Sequence, residues 1–190
     1  MDIDKAINKI GHALHDLNPV FKNFSYQEKV KGLVFSLGIN HPKIVQSMYL
    51  LKQPKIGNQV DLHQDSTFIY TTPETCLGLW FALEDANVNN GCLWAIPGDH
   101  HTPLREKLMK HNNSTHMEVL DTTPFDLSKA IPLEVKAGTL VVLHGRMPHY
   151  SEYNHSNKSR HAYSLHVVDA KAEYSEFNWL QEGGAKFRDW

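Results

Sequence analysis

The hydrophobic pattern of the first forty residues has helical spacing. An apolar stripe that begins after Asp2 predicts an amphipathic helix, and its members are Ile3, Ile7, Ile10, Leu14 and Leu17. A second helix is expected to begin at a capping box that runs from Ser25 to Glu28 and to end at Gly38. Its buried face would consist of Val30, Leu33, Val34 and Leu37. The front of the chain is therefore predicted to be helical.

From Ile44 onward the pattern changes to short β-rich runs that are separated by turn signals. The predicted strands are 44–53, 75–83, 92–96, 131–136, 139–143 and 162–168. The turn signals are Asn89-Asn90-Gly91, Pro97-Gly98-Asp99 and Ala137-Gly138. Residues 99–130 are polar and predict a long surface segment with a short helix from Pro103 to Lys110. Many short strands behind a helical front predict a mainly β fold with flanking α, a double-sheet jelly roll.

Composition narrows the class of protein. The chain has 190 residues, of which 41% are hydrophobic, so one globular domain over 1–190 is expected, with helices in 1–40 and a β core in 44–170. A formal net charge of -2 without a basic cluster gives no reason to expect nucleic-acid or membrane partners. Cys76 and Cys92 lie in apolar surroundings and predict buried free thiols in a reducing, cytoplasmic setting. A small-molecule partner is expected.

The segment His63-Gln64-Asp65 carries the chemistry. In an extended strand alternate side chains share a face, so His63 and Asp65 can point at one ion while Gln64 points away. Because the chain contains 13 histidines, this spacing alone arises easily by chance. A second histidine, His149, would complete two nitrogens and one carboxylate, the facial set that non-haem iron oxygenases use. The pattern therefore predicts a ferrous centre with open coordination positions.

The spacing in the segment Leu143 to Ser151 leaves two candidates for that second histidine. His144 and His149 have opposite parity in a regular strand, so one of them should face away. His149 shares a face with Ser151, and the next predicted strand places Arg160, Ala162, Ser164 and His166 on one face. An inward arginine in an apolar barrel needs an anion, and a dicarboxylate would satisfy it through a bidentate contact. An acidic side chain or solvent would satisfy Arg160 equally well.

A wider set of motifs resembles the phytanoyl-CoA dioxygenase family. It comprises Ser47-Met48-Tyr49, Lys52-Gln53-Pro54, His63-Gln64-Asp65, residues 79–85, residues 90–98, His144-Gly145, His149 and Arg160. The similarity spans almost the whole chain, from 7–14 to 178–181. It implies a cupin-like double-stranded β-helix, Fe(II), 2-oxoglutarate as cosubstrate and O2. It also implies that relatives carry a further N-terminal segment before Lys9, which this chain is expected to lack.

The resemblance also assigns residues. His63, Asp65 and His149 match the metal ligands, Arg160 the group that binds the distal carboxylate of 2-oxoglutarate, and Ser151 the hydroxyl beside it. Cosubstrate-lining positions fall on Trp80, Met48 and Lys9, which would otherwise be interpreted as a core residue, a gap-filler and a solvated lysine. His144 is then expected to pack near the site. Because a related halogenase would need a small residue in place of Asp65, hydroxylation is favoured.

These expectations define one function and two alternatives. The favoured function is that of a dioxygenase that hydroxylates an unidentified small organic substrate with release of succinate and CO2. A catalytically silent module that binds metal and 2-oxoglutarate is the first alternative, because of the missing N-terminal segment. A zinc hydrolase is the second, since zinc accepts the same ligands. A hydrolase would have no use for Arg160. The substrate pocket is expected to include parts of 54–75 and 99–130.

Overall fold

A computed structural model describes residues 7–112, 114–182, 187–188 and 190 and is mainly β. Its helices are α1 (Leu14–Leu17), α2 (Pro19–Ser25) and α3 (Glu28–Ser36). Its strands are β1 (Lys9–His12), β2 (Pro42–Lys52), β3 (Val60–His63), β4 (Thr71–Thr72), β5 (Leu77–Ala82), β6 (Leu93–Ala95), β7 (Glu106–His111), β8 (Ser114–Val119), β9 (Ile131–Leu133), β10 (Leu140–His144), β11 (His149–Ser151), β12 (Arg160–Asp169) and β13 (Glu173–Tyr174). Short 3-10 turns connect several of these elements.

The larger sheet is antiparallel and has the strand order β1-β2-β12-β5-β10. Alternation along its strands separates two faces. On β12, Tyr163 and Leu165 point outward and pack with Val30 and Val34 of α3, so the helices cover this face. The opposite face carries Arg160, Ser164 and His166 and lines a cavity. The same alternation thus builds a core on one side and a polar-lined cavity on the other.

A second antiparallel sheet, with the order β3-β11-β6-β9, packs against the cavity side of the first. Trp80 and Ala162 of the larger sheet form an apolar cluster with Leu93 and Leu133 of the smaller one. Two facing antiparallel sheets form the jelly roll that the sequence predicts, and the mainly β class with flanking helices is confirmed. Sequence-distant strands therefore meet around one cavity.

Three of the predicted turns depend on glycines with left-handed backbone conformations. Gly91, Gly98 and Gly138 have φ angles of 79°, 89° and 87°. Other residue types rarely adopt this region, which explains why the reversals fall at these positions. Each long predicted strand is present within about two residues of its expected ends, with β2, β5 and β12 as examples.

The predicted first helix is wrong over most of its length. Residues Lys9–His12 form β1, which pairs with β2 so that Lys9 lies opposite Leu50, and only Leu14–Leu17 are helical. Ile3 lies outside the described residues. Ile7 and Ile10 are about half exposed, so the apolar stripe is not buried as a helix face. The hydrogen bonds offered by the free edge of β2 outweigh the helical spacing, and β-branched isoleucine suits a strand.

The capping box at Ser25 to Glu28 is also wrong. Ser25 ends α2, and its hydroxyl lies 2.9 Å from that of Tyr163 in the core. The N-cap of α3 is Gln27, whose side chain makes no capping hydrogen bond. The helix itself is confirmed with Val30 and Val34 buried, but Leu37, expected on the buried face, is 46% exposed. The chain leaves the helix through Gly38 at a φ of 93°. A preceding helix that the sequence does not reveal explains the different role of Ser25.

The helix expected from Pro103 to Lys110 is a strand instead. β7 and β8 form an antiparallel hairpin in which Leu108 lies opposite Met117. Backbone hydrogen bonds tie the hairpin to the rest of the protein, since Lys110 N–H donates to the carbonyl of Phe177. Pairing with β8 determines the secondary structure of this segment, and the local spacing of apolar residues does not reveal that partner.

Two further features agree with the sequence. Cys76 and Cys92 are buried free thiols, and burial raises the pKa of each. Over the described ranges, the structure contains no helix that is long and apolar enough to cross a membrane.

Candidate active site

Strand pairing brings the first two candidate ligands together. β3 ends at His63 and β11 begins at His149, and the two residues are direct partners in the sheet, with ring centroids 4.3 Å apart. Asp65 follows at the start of a 3-10 turn, after Gln64 in an extended conformation. The Gln64 amide points away, donating to the carbonyl of Arg146 and accepting from the N–H of Arg105. His63 and Asp65 therefore share a side.

The donor atoms of His63, Asp65 and His149 all lie within 4.8 Å of one another. The Nε2 atoms of the two histidines lie 3.6 and 3.7 Å from Oδ1 of Asp65. Each histidine also donates its Nδ1–H to a backbone carbonyl, that of Asp61 at 2.7 Å for His63 and that of Met147 at 2.9 Å for His149. These bonds fix the tautomer and leave both Nε2 lone pairs facing the carboxylate, as a metal site requires.

Burial and proximity set the protonation of the group. Burial lowers the pKa of His149 to about 4, which keeps its imidazole neutral. Burial opposes ionisation of Asp65, but the neighbouring His166 and His149 hold the pKa of its carboxyl well below the usual range. Burial also works against a charged His63, yet the nearby Asp65 carboxylate, followed by the hydrogen bond to the Asp61 carbonyl, raises the pKa of that imidazole. An ionised carboxylate between imidazoles is a suitable donor set for a divalent metal.

His144, the competitor of His149, does not join this group. Its Nδ1 accepts the backbone N–H of Arg146, and its ring lies 5.5 Å from that of His100. His144 is outside the set of ligand atoms that converge on Asp65. The structure thus places His149, and not His144, beside His63 and Asp65.

A cavity of about 580 Å³ extends from the three donors into the space between the sheets. Arg160 lies in its wall and is only 2% exposed. Its Nε donates to the carbonyl of Gly91 at 3.0 Å, whereas one terminal guanidinium nitrogen is buried and has no partner among the described residues. Burial lowers the pKa of Arg160 to about 10, so the side chain still carries a charge at neutral pH. A buried, partly unpaired guanidinium calls for an anion in the cavity.

Other buried polar atoms around the cavity are also without partners. Within the part of the chain that the structure describes, the hydroxyl of Ser151 and the indole nitrogen of Trp80 make no hydrogen bond. The guanidinium of Arg160 lies 5.3 Å from the centre of the Trp80 ring, within cation–π distance. Native proteins rarely leave such atoms unsatisfied, so their grouping in one cavity indicates a missing polar ligand. A carboxylate would accept hydrogen bonds from Arg160 and Ser151 together.

Met48 and Lys9 also line the cavity, as the resemblance implies. Met48 lies on β2, where its partner across the sheet is Ser164 of β12. Lys9 is exposed on the edge strand β1, beside Leu50. The structure therefore brings all eight candidate residues to one cavity, with Lys9 at its rim.

Three further residues of the site have no role in the sequence analysis. His166 and Ser164 lie in the cavity wall, and Nε2 of His166 is 3.2 Å from Oδ1 of Asp65. Their parity places both on the face of Arg160 in the sequence, but does not show that they reach the donor atoms. Gly78 of β5 is the third, because a Cβ there would lie 2.8 Å from Oδ2 of Asp65. No local signal reveals that contact, which depends on the packing of β5 against the turn after β3.

The cavity continues from the donor atoms toward a more apolar region. Its wall includes residues of both segments expected to line a substrate pocket, among them Leu62 and Phe68 from 54–75 and Leu108 from 99–130. Trp179 near the C terminus also contributes and meets His12 edge-to-face at 4.7 Å. The cavity wall thus combines polar residues, among them His63 and Arg160, with apolar ones.

Comparison with known proteins identifies relatives that match nearly the whole of this chain. A family model described as phytanoyl-CoA dioxygenase (PhyH) matches residues 1–162. Phytanoyl-CoA dioxygenase 1 of Oryza sativa is 52% identical over 177 residues, which are 93% of this chain and 63% of the relative. Phytanoyl-CoA dioxygenase domain-containing protein 1 of Mus musculus is 46% identical over 94% of this chain and 63% of its own length. The chain thus spans a little under two thirds of these relatives.

Solved structures share the fold at low sequence identity. The non-heme alpha ketoglutarate dependent epimerase SnoN from nogalamycin biosynthesis has a TM-score of 0.74 at 21% identity, covering 95% of this chain and 72% of that protein. The carbocyclase SnoK has a TM-score of 0.72 at 23% identity, covering 93% and 68%. SnoN has also been solved in complex with Fe3+ and alpha ketoglutarate. By the match of the family model and the identity to its relatives, the chain belongs to the phytanoyl-CoA dioxygenase family.

Proposed function

We propose that the protein is a dioxygenase that depends on Fe(II) and 2-oxoglutarate and hydroxylates a small organic substrate, with release of succinate and CO2. The observation that carries the proposal is the shared cavity. A His-Asp-His donor set lies at one end, and a buried arginine with an unpaired guanidinium nitrogen lies at the other. Family membership supports the same reaction class. A zinc hydrolase would account for the donors but not for Arg160.

The residues fit the absent groups. Nε2 of His63, a carboxylate oxygen of Asp65 and Nε2 of His149 would hold the iron, and the remaining positions would be open. Bound Fe(II) would supply activation of O2, coupled to oxidative decarboxylation of 2-oxoglutarate. Asp65 would take a ligand position and so would fill the space that a chloride needs. Hydroxylation is therefore the reaction type that this donor set favours.

The protein's own side chains would orient the cosubstrate. Arg160 and Ser151 have free donors that can bind the distal carboxylate, and the face of Trp80 lies against the guanidinium. Met48 would pack against the carbon chain, and Lys9 at the rim would contribute positive charge. Apolar neighbours such as Phe68 and Leu93 would exclude water from the reacting atoms.

The setting of this activity follows from the same features. We infer one dioxygenase domain over 1–190, in which the front 1–40 contributes the edge strand β1 as well as helices, and 44–170 form the β core. Two buried free thiols support a reducing, cytoplasmic location. A net charge of -2 and a cavity of about 580 Å³ support a small-molecule substrate, with neither nucleic acid nor membrane as partner.

The test is succinate formation from 2-oxoglutarate by the purified chain, with and without Fe(II). Production of succinate that requires both Fe(II) and O2, and increases when a small-molecule extract is added, is the expected result. His144→Ala is a suitable control, because this histidine lies near the site but outside the donor set. Binding of metal and 2-oxoglutarate without any succinate would establish the catalytically silent module instead. Zn(II)-dependent hydrolysis that ignores 2-oxoglutarate would establish the hydrolase.

A further inference from the structure

His166 approaches the candidate metal centre from the opposite sheet. It lies on β12 of the larger sheet, whereas His63 and His149 lie on β3 and β11 of the smaller one. It is only 6% exposed, and its Nε2 is 3.2 Å from Oδ1 of Asp65. This is the shortest of the three distances between an imidazole Nε2 and that oxygen, the others being 3.6 and 3.7 Å. The contact lies within hydrogen-bonding distance.

The neighbour of His166 across the sheet leaves the space that the carboxylate needs. Gly78 of β5 is its direct partner, and a Cβ at Gly78 would come within 2.8 Å of Oδ2 of Asp65. The Asp65 side chain therefore lies against His166 and Gly78, with Oδ1 next to the imidazole and Oδ2 close to the space that a Cβ at Gly78 would take. A residue in a 3-10 turn is thus oriented by a strand of the other sheet.

We propose that His166 is a positioning residue, which donates its Nε2–H to Asp65 and fixes the carboxylate for metal binding. This inference rests on the proposed function. A carboxylate oxygen has two lone pairs, so Oδ1 can accept this hydrogen bond and still ligate a metal. Partners of this kind orient ligating carboxylates, and their loss typically weakens metal affinity about 10–100-fold.

Two other roles for His166 make different predictions. A fourth ligand would place its Nε2 lone pair toward the metal, yet the donor set that converges within 4.8 Å consists of His63, Asp65 and His149. A purely structural histidine would stabilise the fold without affecting the metal.

The experiment titrates metal-free protein with Co(II) and records both the dissociation constant and the visible ligand-field spectrum. His166→Ala should weaken Co(II) binding about 10–100-fold with the spectrum of the bound form retained. His166→Gln should recover most of the affinity, because its amide N–H can donate to Asp65. His161→Gln is the matched control, since His161 lies on β12 but on the other face, beside Tyr49. It should bind Co(II) as the wild type does.

Several results would overturn the proposal. Wild-type affinity in His166→Ala would show a packing role, and a changed Co(II) spectrum in both variants would show a fourth ligand. An equal loss of Co(II) affinity in His166→Ala and His166→Gln, with an unchanged spectrum, would show that the hydrogen bond to Asp65 does not matter. His63→Ala in the same titration separates these failures from failure of the proposed function. If the wild type and His63→Ala bind Co(II) alike, the metal site itself is wrong and both proposals fall.

Discussion

The two ends of the cavity differ in whether the protein itself satisfies their polar atoms. At the metal end, the Nδ1 atoms of His63 and His149 are satisfied by backbone carbonyls, so their lone pairs already face Asp65. At the other end, a nitrogen of Arg160 and the hydroxyl of Ser151 have no partner. The metal end is therefore oriented by the protein alone. The anion end retains unsatisfied donors that only a ligand can satisfy.

Lys52 strengthens this contrast. It lies beside Arg160 on the neighbouring strand, and its ammonium group donates to the carbonyls of Asn58 and Glu152. Burial, followed by the positive charge of Arg160, lowers the pKa of Lys52 to about 7. Lys52 is therefore only partly charged at neutral pH, and Arg160 remains as a buried charge with no carboxylate contact among the described residues, which destabilises the ligand-free protein. A dicarboxylate should thus stabilise the protein by binding at this end, whereas the metal end needs no such help.

The largest effect should follow from loss of a metal ligand. His63→Ala or Asp65→Ala should abolish conversion of 2-oxoglutarate, because two donors cannot hold the ion firmly. The measurement is succinate formation together with the iron content of the purified variant. His144→Ala should keep both, since that side chain bonds the backbone of Arg146 instead. Either ligand variant with full activity and stoichiometric iron would contradict the assignment.

Loss of the guanidinium should weaken binding of 2-oxoglutarate and leave metal binding unchanged. Arg160→Ala is expected to raise the apparent KM for 2-oxoglutarate about 10–100-fold, the value of hydrogen bonds to a charged group. The KM of Arg160→Lys should lie between those of the wild type and Arg160→Ala, because an ammonium keeps the charge but cannot bind a carboxylate in the bidentate manner.

Steady-state kinetics with iron analysis measures both effects of these variants. An unchanged KM would place the cosubstrate elsewhere in the cavity. A loss of iron in Arg160→Ala would show that the two ends do not act separately.

A single added methyl group next to Asp65 should weaken metal binding without affecting Arg160. Gly78→Ala would bring a Cβ within 2.8 Å of Oδ2 of Asp65 and should weaken metal binding about 10-fold, while Arg160 stays in place. Gly32→Ala in α3 is the matched control, because a Cβ there meets nothing within 4 Å. It should leave metal affinity unchanged and stabilise the helix by up to about 1 kcal/mol. Equal metal affinity in both variants would show that Asp65 moves freely.

The smallest effect should come from the hydroxyl at the anion end. Ser151→Ala removes one neutral donor, which is worth about 0.5–1.5 kcal/mol, so the KM for 2-oxoglutarate should rise about 2–10-fold. Ser156→Ala, in the surface turn that follows β11, should have no effect on the KM. A rise in KM as large as that of Arg160→Ala would mean that Ser151 also holds the guanidinium in place and does not simply donate to the ligand.

Parts of this architecture that depend on local pattern could be predicted from the sequence. The alternation in β12 places Arg160 and Ser164 on one face, and Gly91 marks its turn through a positive φ. The wrong elements depend on distant partners. Lys9–His12 form a strand because the edge of β2 is available, and residues 106–111 pair with β8. Local spacing does not encode either partner.

The candidate site shows the same division. His63 and Asp65 are visible as a motif two residues apart, and the resemblance selected His149 and Arg160. The contacts that orient Asp65 were missed, because His166 and Gly78 reach it from the other sheet. Parity placed His166 inward, yet nothing in the sequence says how far that strand lies from the turn at Asp65. Packing between sheets, and not the motif, determines that distance.

A calorimetric titration of 2-oxoglutarate into the protein, with and without Mn(II) as a redox-inert substitute for iron, tests the two-ended cavity most directly. The account predicts stoichiometric binding in the presence of Mn(II), much weaker binding without it, and a further loss in Arg160→Ala of about 10–100-fold. No binding in the presence of Mn(II), or equal affinity with and without the metal, would contradict the account.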